Sequence, residues 1–206
     1  VGRITLDGTQ LTVNAGQQMG LIGGAMELKS GAQLRAAGGR IDLASVASSA
    51  AVQLTTTGIV SGAMQGADIN LLDGTLINVN NQVESQNVGQ IFIHGGQLTV
   101  NNSQLHAKNY SQVDALDVGI GIDVAGIAIV NGARIQAETE GSGRGSSVKL
   151  EAVNKVMLGD NSYIFVDTYN RTLANAGNAG DLTITAADIT LRDGAYIKAS
   201  TKGAGQ

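Results

Sequence analysis

Cysteine, proline and tryptophan are absent from this 206-residue chain, and its aromatic residues are Phe92, Phe165, Tyr110, Tyr163, Tyr169 and Tyr196. Without cysteine there are no disulfides, thiolate metal sites or cysteine nucleophiles. So few large rings argue for a thin core of Ile, Leu, Val and Ala. No run of 18 apolar residues occurs, so no stretch is long enough to cross a membrane as a helix. The 13 basic and 17 acidic residues are scattered singly for a net charge of −4. Without a basic stripe to neutralise phosphates, nucleic acid is not an expected partner.

Catalytic signatures are missing as well. There is no Gly-x-Ser-x-Gly elbow, "GSGRGS" lacks the Lys-Ser/Thr ending of a phosphate loop, and "GGRIDL" and "GNAGDL" lack the spacing of the calcium nonapeptide. The expectation is a non-enzyme with no catalytic residue, metal or cofactor. The chain opens on "VGRITLDG" and stops on "KGAGQ", with neither an initiator Met nor a charged leader. It reads as an excerpt of a longer protein.

What the sequence has instead is a repeat. The phrase "DITLRDGAYIKAS" puts Asp193-Gly194 between alternating apolar residues, a strong local hairpin signal. Aligned on the apolar residue after each such turn, the copies have anchors at Leu11, Leu34, Ile77, Leu105, Ile135, Ile164 and Ile197, at intervals of 23, 43, 28, 30, 29 and 33 residues. The interval of 43 fits one coil with an insertion or two short coils.

Three residues before each anchor stand Gly8, Gly31, Gly74, Asn102, Gly132, Asn161 and Gly194, the residue types that enter the left-handed region most easily. This column is expected to form a structural corner with positive φ. Two residues after each anchor is Val or Ala, which marks a strand with period-two burial. A second short strand precedes each corner (Ile4/Leu6 through Ile189/Leu191), and Lys29, Leu72, Val130, Gly159 and Arg192 are extra residues that give the corner two lengths. A third strand follows Gly-rich links in most coils, as at Ile91/Ile93, Val148/Leu150 and Leu182/Ile184. The links themselves, such as "GSGRGSS", read as flexible, and the stretches 79–89 and 109–119 as projecting loops.

Three short strands per coil of roughly 30 residues fit an all-β fold, a right-handed parallel β-helix in which like residues stack one coil apart. A propeller needs four strands per blade and regular aromatics, and a stack of hairpins gives no reason for columns to match across 30 residues.

The run "LIGGAMELKSGAQLRAAGGRIDLASVAS" together with "GNAGDLTITAADITLRDGAYIKASTKGAGQ" resembles the filamentous haemagglutinin-like exoproteins, adhesins of Gram-negative two-partner secretion systems. The resemblance implies one continuous segment. Residues 1–47 would be the end of a secretion-domain-like region and 48–206 the stalk coils. The proline-containing signature of the family's secretion domain has no counterpart in this proline-free chain. It further implies export through an outer-membrane barrel transporter and a secreted or cell-surface location on a Gram-negative bacterium. The implied function is a stalk mediating adhesion to host or neighbouring cells, aggregation, or display of a distal domain.

Two other classes remain open. One is a self-assembling extracellular filament subunit with head-to-tail or lateral contacts. The other is a carbohydrate-active β-helix enzyme, which needs carboxylates and cations converging on one outer face. The densest acidic group, Asp114, Asp117 and Asp123, has no basic residue in a matching column and is expected to decorate a loop. His94 and His106 point outward by alternation and read as plain surface histidines.

The sequons at Asn101, Asn109 and Asn170 are the number that a chain so rich in Asn, Ser and Thr produces by chance. The outward columns beside the anchors bring Tyr163, Phe165 and Tyr196 onto one face with Arg134 and Lys198. This is a candidate patch for binding a glycan by stacking, or for packing against a neighbour.

Overall fold

The computed structural model describes residues 1–48, 53–55, 58–60, 66–81, 87–168 and 177–201. Among these the fold is all-β, without helices, and the strands are labelled in chain order. One set precedes the corners: β1 (Ile4–Asp7), β4 (Met26–Lys29), β9 (Ile69–Leu71), β18 (Asp188–Leu191) and the second halves of β11 (Gln90–Asn101), β13 (Val118–Val130) and β15 (Ser147–Leu158). A second set follows them: β2 (Gln10–Val13), β5 (Gln33–Ala36), β10 (Leu76–Asn78), β12 (Gln104–His106), β14 (Arg134–Gln136), β16 (Tyr163–Thr168) and β19 (Tyr196–Thr201). The third comprises β3 (Gln18–Gly23), β6 (Arg40–Ser45), the first halves of β11, β13 and β15, and β17 (Leu182–Thr185).

All strands of these three sets pair in parallel with the equivalent strand of a neighbouring repeat. The second set forms a 7-stranded sheet, and the other two share a 10-stranded sheet. Every anchor is in register with the next: Leu11 on Leu34, Leu34 on Ile77, Ile77 on Leu105, Leu105 on Ile135, Ile135 on Ile164 and Ile164 on Ile197. The long interval is therefore one repeat with an insertion. That insertion lies between β6 and β9 and holds β7 (Gln53–Thr55) and β8 (Gly58–Val60), the antiparallel pair among the described strands.

The expected three short strands are modified in three repeats, where the third strand of one repeat runs into the first strand of the next as β11, β13 and β15, of 12, 13 and 12 residues. An extra residue in β15 shifts its register on β13 after Val124, and nearby Val153 is left 74% exposed inside a strand.

All seven corner positions have positive φ, between 46° at Asn102 and 83° at Gly74. The five longer corners take a second left-handed residue just before that column, at Ser30, Asp73, Asn131, Asp160 and Asp193. Each of these five turns is closed by an N–H donated three residues back, as from Ala195 to the Arg192 carbonyl at 3.0 Å. Two successive left-handed residues with this bond form a type I′ turn. The Asp-Gly signal thus describes its turn correctly, while the strand after the turn pairs one repeat away rather than back on its neighbour.

The core is a column of aliphatic side chains from all three strand sets. Met26, Leu28, Leu34, Ile41, Leu43, Ile69, Leu71, Ile77, Ile91, Ile93, Leu98 and Leu105 are among its fully buried members. It opens at β18, where Ile189 and Leu191 are 45% and 44% exposed.

The stretch 109–119 and the glycine-rich link at 141–147 depart from the sequence expectation. They stack on each other instead of projecting or flexing. Gly143 donates its N–H to Ser111 O at 3.1 Å, and Ala115 to Arg144 O at 2.9 Å. A Cβ on Gly141 would lie 2.0 Å from the Ser111 carbonyl oxygen, so close backbone approach is what requires glycine there. At the same corner Asn109 is fully buried and satisfied on all sides. Its amide donates to Val113 O and Arg144 O, both at 3.0 Å, and its oxygen accepts from Ser111 N, Ser111 Oγ and Asn81 Nδ2.

Candidate functional site

Alternation on β14, β16 and β19 turns Ile135, Ile164 and Ile197 inward, which sends their neighbours outward onto one face. The register pairs Arg134 with Tyr163 and Tyr163 with Tyr196, and in the next column Gln136 with Phe165 and Phe165 with Lys198. All five residues expected to form a patch are brought together.

The ring centroids of Tyr163 and Phe165 are 4.4 Å apart, those of Phe165 and Tyr196 5.3 Å, and Tyr163 stacks on Tyr196 at 5.2 Å with 23° between planes. The Arg134 guanidinium sits 5.2 Å from the Tyr163 centroid, and the Lys198 ammonium 5.2 Å from that of Phe165. The cluster is therefore a cation-capped stack whose rings spend much of their faces on one another. Tyr196, 43% exposed and on the outermost strand of its sheet, is the most open of the three.

The two cations are not equivalent. Lys198 is ion-paired with Asp167, a carboxylate only 4% exposed that also accepts from Ser200 Oγ at 3.0 Å. Arg134 has no carboxylate partner among the described residues. Burial pushes the Tyr163 phenol above its ordinary range, opposed by the Arg134 charge beside it. The patch offers aromatic edges, phenol hydroxyls and one guanidinium without a carboxylate partner among the described residues, a set suited to a polar, partly anionic surface.

Sequence reasoning missed the outward column that begins one alternation further on. It runs Asn80, Lys108, Glu138, Asp167, Ser200, and within it Lys108 is ion-paired with Glu138 and Lys198 reaches across to Asp167. The acidic group also differs from expectation. Arg144 of the next repeat donates its N–H to Asp114 at 2.8 Å, and its guanidinium lies 4.0 Å from Asp117 and 3.6 Å from Asp181. Asp123 faces the His94 ring at 3.7 Å.

Both histidines do turn away from the core, yet neither is a plain surface residue. His94 Nδ1 and His106 Nε2 are buried without a hydrogen-bond partner among the described residues. On the other sheet Arg40 and Asp42, outward by alternation, are 6% and 5% exposed and joined at 2.8 Å. The Arg40 guanidinium lies 4.1 Å from the Phe92 centroid. That ring in turn covers Gly121, where a Cβ would meet it at 2.7 Å.

Among the sequons, Asn109 is fully buried in the fold, Asn101 accepts from Asn131 Nδ2 at 2.9 Å, and Asn170 lies outside the described residues. Among those residues no group of His, Cys, Asp or Glu has the geometry of a metal site. No protein-family model, curated protein or solved structure matches the chain.

Proposed function

We propose that the chain is a segment of a secreted, surface-associated exoprotein, a non-enzymatic stalk whose outer sheet face makes adhesive contacts, folded as a right-handed parallel β-helix. The observation that carries this reading is the unbroken parallel register of the anchor column from Leu11 to Ile197. A chain whose anchor strands each pair one repeat away coils, and connections between parallel strands of one sheet are right-handed in about 98% of cases. Such a column grows by addition of repeats, each contacting only its neighbours. That suits a stalk threaded unfolded through an outer-membrane barrel and refolded outside. Residues 1–47 fit the end of a secretion-domain-like region and 48–206 the stalk.

Adhesion is supported by the cluster of Arg134, Tyr163, Phe165, Tyr196 and Lys198, which leaves aromatic and cationic groups on the outer face. Beads coated with the chain are expected to hold epithelial or bacterial cells. The Tyr163→Ala, Tyr196→Ala double variant, with an unchanged circular dichroism spectrum, is expected to fall to background. Equal adhesion by both proteins removes the patch from the reading, and no adhesion by the wild type removes adhesion itself.

A further inference from the structure

A concavity opens on the same sheet, several strands from the aromatic cluster. Thr12 of β2, Arg35 of β5 and Asn78 of β10 are register partners in one outward column. They line a cleft of about 600 Å³ with Asn80 and Tyr110. Tyr110 is held there by its own backbone N–H, which donates to Asn81 Oδ1 at 2.7 Å, and the residue stays 38% exposed.

The polar groups in this cleft are oriented. Asn78 Oδ1 accepts from Asn80 N at 2.9 Å and Asn80 Oδ1 accepts from Lys108 N at 2.8 Å, so each side chain turns its NH₂ away from the backbone it is tied to. Arg35 donates through Nε and Nη2 to Gln33 Oε1 at 3.0 and 2.7 Å, which fixes the guanidinium plane and leaves other N–H groups unused. Among the described residues no carboxylate lines the cleft, and none forms an ion pair with Arg35. Two acids outside the lining, Glu140 and Glu138, act on the Tyr110 phenol, and Glu138 is taken up by Lys108. Val13, Ala15 and Ala37 add small apolar surface to the lining.

Donors fixed without acceptors, one guanidinium, an aromatic ring and small apolar groups in one cleft match one ligand chemistry: a sugar ring that carries an acid group. We propose that this cleft binds an acidic saccharide, its carboxylate on Arg35 and the amides of Asn78 and Asn80, its ring against Tyr110. The site is separate from the aromatic cluster, so its failure leaves the adhesive reading to its own test.

Isothermal titration calorimetry on the full chain with trigalacturonate, maltotriose and sodium sulfate tests it. Trigalacturonate is expected to bind at least tenfold more tightly than maltotriose and to resist displacement by equimolar sulfate. Arg35→Gln is expected to weaken binding at least tenfold, Arg35→Lys to restore part of it, and Tyr110→Ala to weaken it. Tyr163→Ala with Tyr196→Ala is expected to bind as the wild type does. Absence of trigalacturonate binding, equal binding of maltotriose, or displacement by equimolar sulfate overturns the proposal. Undiminished binding by an Arg35→Gln protein with wild-type circular dichroism does the same.

Discussion

Ile77 lies directly on Leu34 in the sheet, although 43 residues separate them in the chain. The contact closes one repeat around the whole insertion, so the stack continues past a segment that interrupts its sequence period. Outward neighbours on the same strands, Gln33 and Leu76, are partners too.

A cysteine pair at those two positions is expected to crosslink on mild oxidation, since parallel partners lie within the Cα separation a disulfide spans. The chain has no native cysteine to compete. Closing a loop of this length stabilises by up to about 4 kcal/mol. Gln33→Cys with Gln104→Cys, two strands apart, is expected to stay reduced. Mass spectrometry under both conditions reads the result, and a crosslink in the second pair alone would put the insertion between different repeats.

The corner column predicts a graded response. Gly132 has φ +72° and nothing within 4 Å of a Cβ, while Gly194 has φ +76° and Asn161 Oδ1 at 2.5 Å. Gly132→Asn is expected to cost less than about 1 kcal/mol, since Asn already fills this column at Asn102 and Asn161. Gly194→Val combines a β-branched residue at positive φ with a clash and is expected to cost about 2 kcal/mol or more. Urea unfolding of both proteins measures the gap, and equal midpoints would show that the corner tolerates any residue.

The anchors and corners were legible because each repeat imposes the same two demands, burial at every second position and a left-handed backbone at one. Leu105 or Gly132 answers them with a residue type that can be aligned. The loop stack was not legible. Gly141 and Gly143 look like any flexible linker, and the carbonyls of Ser111 and Val113 that require them lie about 30 residues earlier in a stretch of different composition. The patch was legible as a set of neighbours, because it follows from register. That Lys198 is held by Asp167 was not, since the carboxylate sits on the adjacent strand in a column whose charge changes from Lys108 to Glu138 to Asp167.

His106 gives the fold a pH dependence of defined sign. Burial, and then the Lys108 charge, lower its pKa from 6.5 to about 4. Arg134 acts the same way, while Glu138 and Gln136 oppose. The fold therefore accommodates the neutral ring. Its contribution is complete above about pH 6.5 and is lost as pH falls toward 4, a change on the order of 2 kcal/mol for a partly covered group. His106→Gln is expected to match the wild type in urea unfolding at pH 7.5 and to lose less stability at pH 4.5. An identical acid loss in both proteins would assign it to other groups.

Asn109→Asp is a near-isosteric change with the opposite pH signature. In the native chain the Asn109 amide donates to Val113 O and Arg144 O, both at 3.0 Å, at a site with no exposure. An aspartate there sets a negative oxygen against two carbonyls, so both burial and repulsion raise its folded pKa above the unfolded value near 3.9. The protonated acid restores one of the two bonds, and the charged form restores neither. The variant is expected to be closest to the wild type near pH 4 and to lose stability as pH rises through the raised folded pKa, by about 3 kcal/mol or more at pH 7.5. Unfolding midpoints of the two proteins compared from pH 4 to 7.5 should diverge with rising pH. A gap that is constant or shrinks would mean that the introduced carboxylate finds donors, and that the two bonds donated by the Asn109 amide are not what closes this corner.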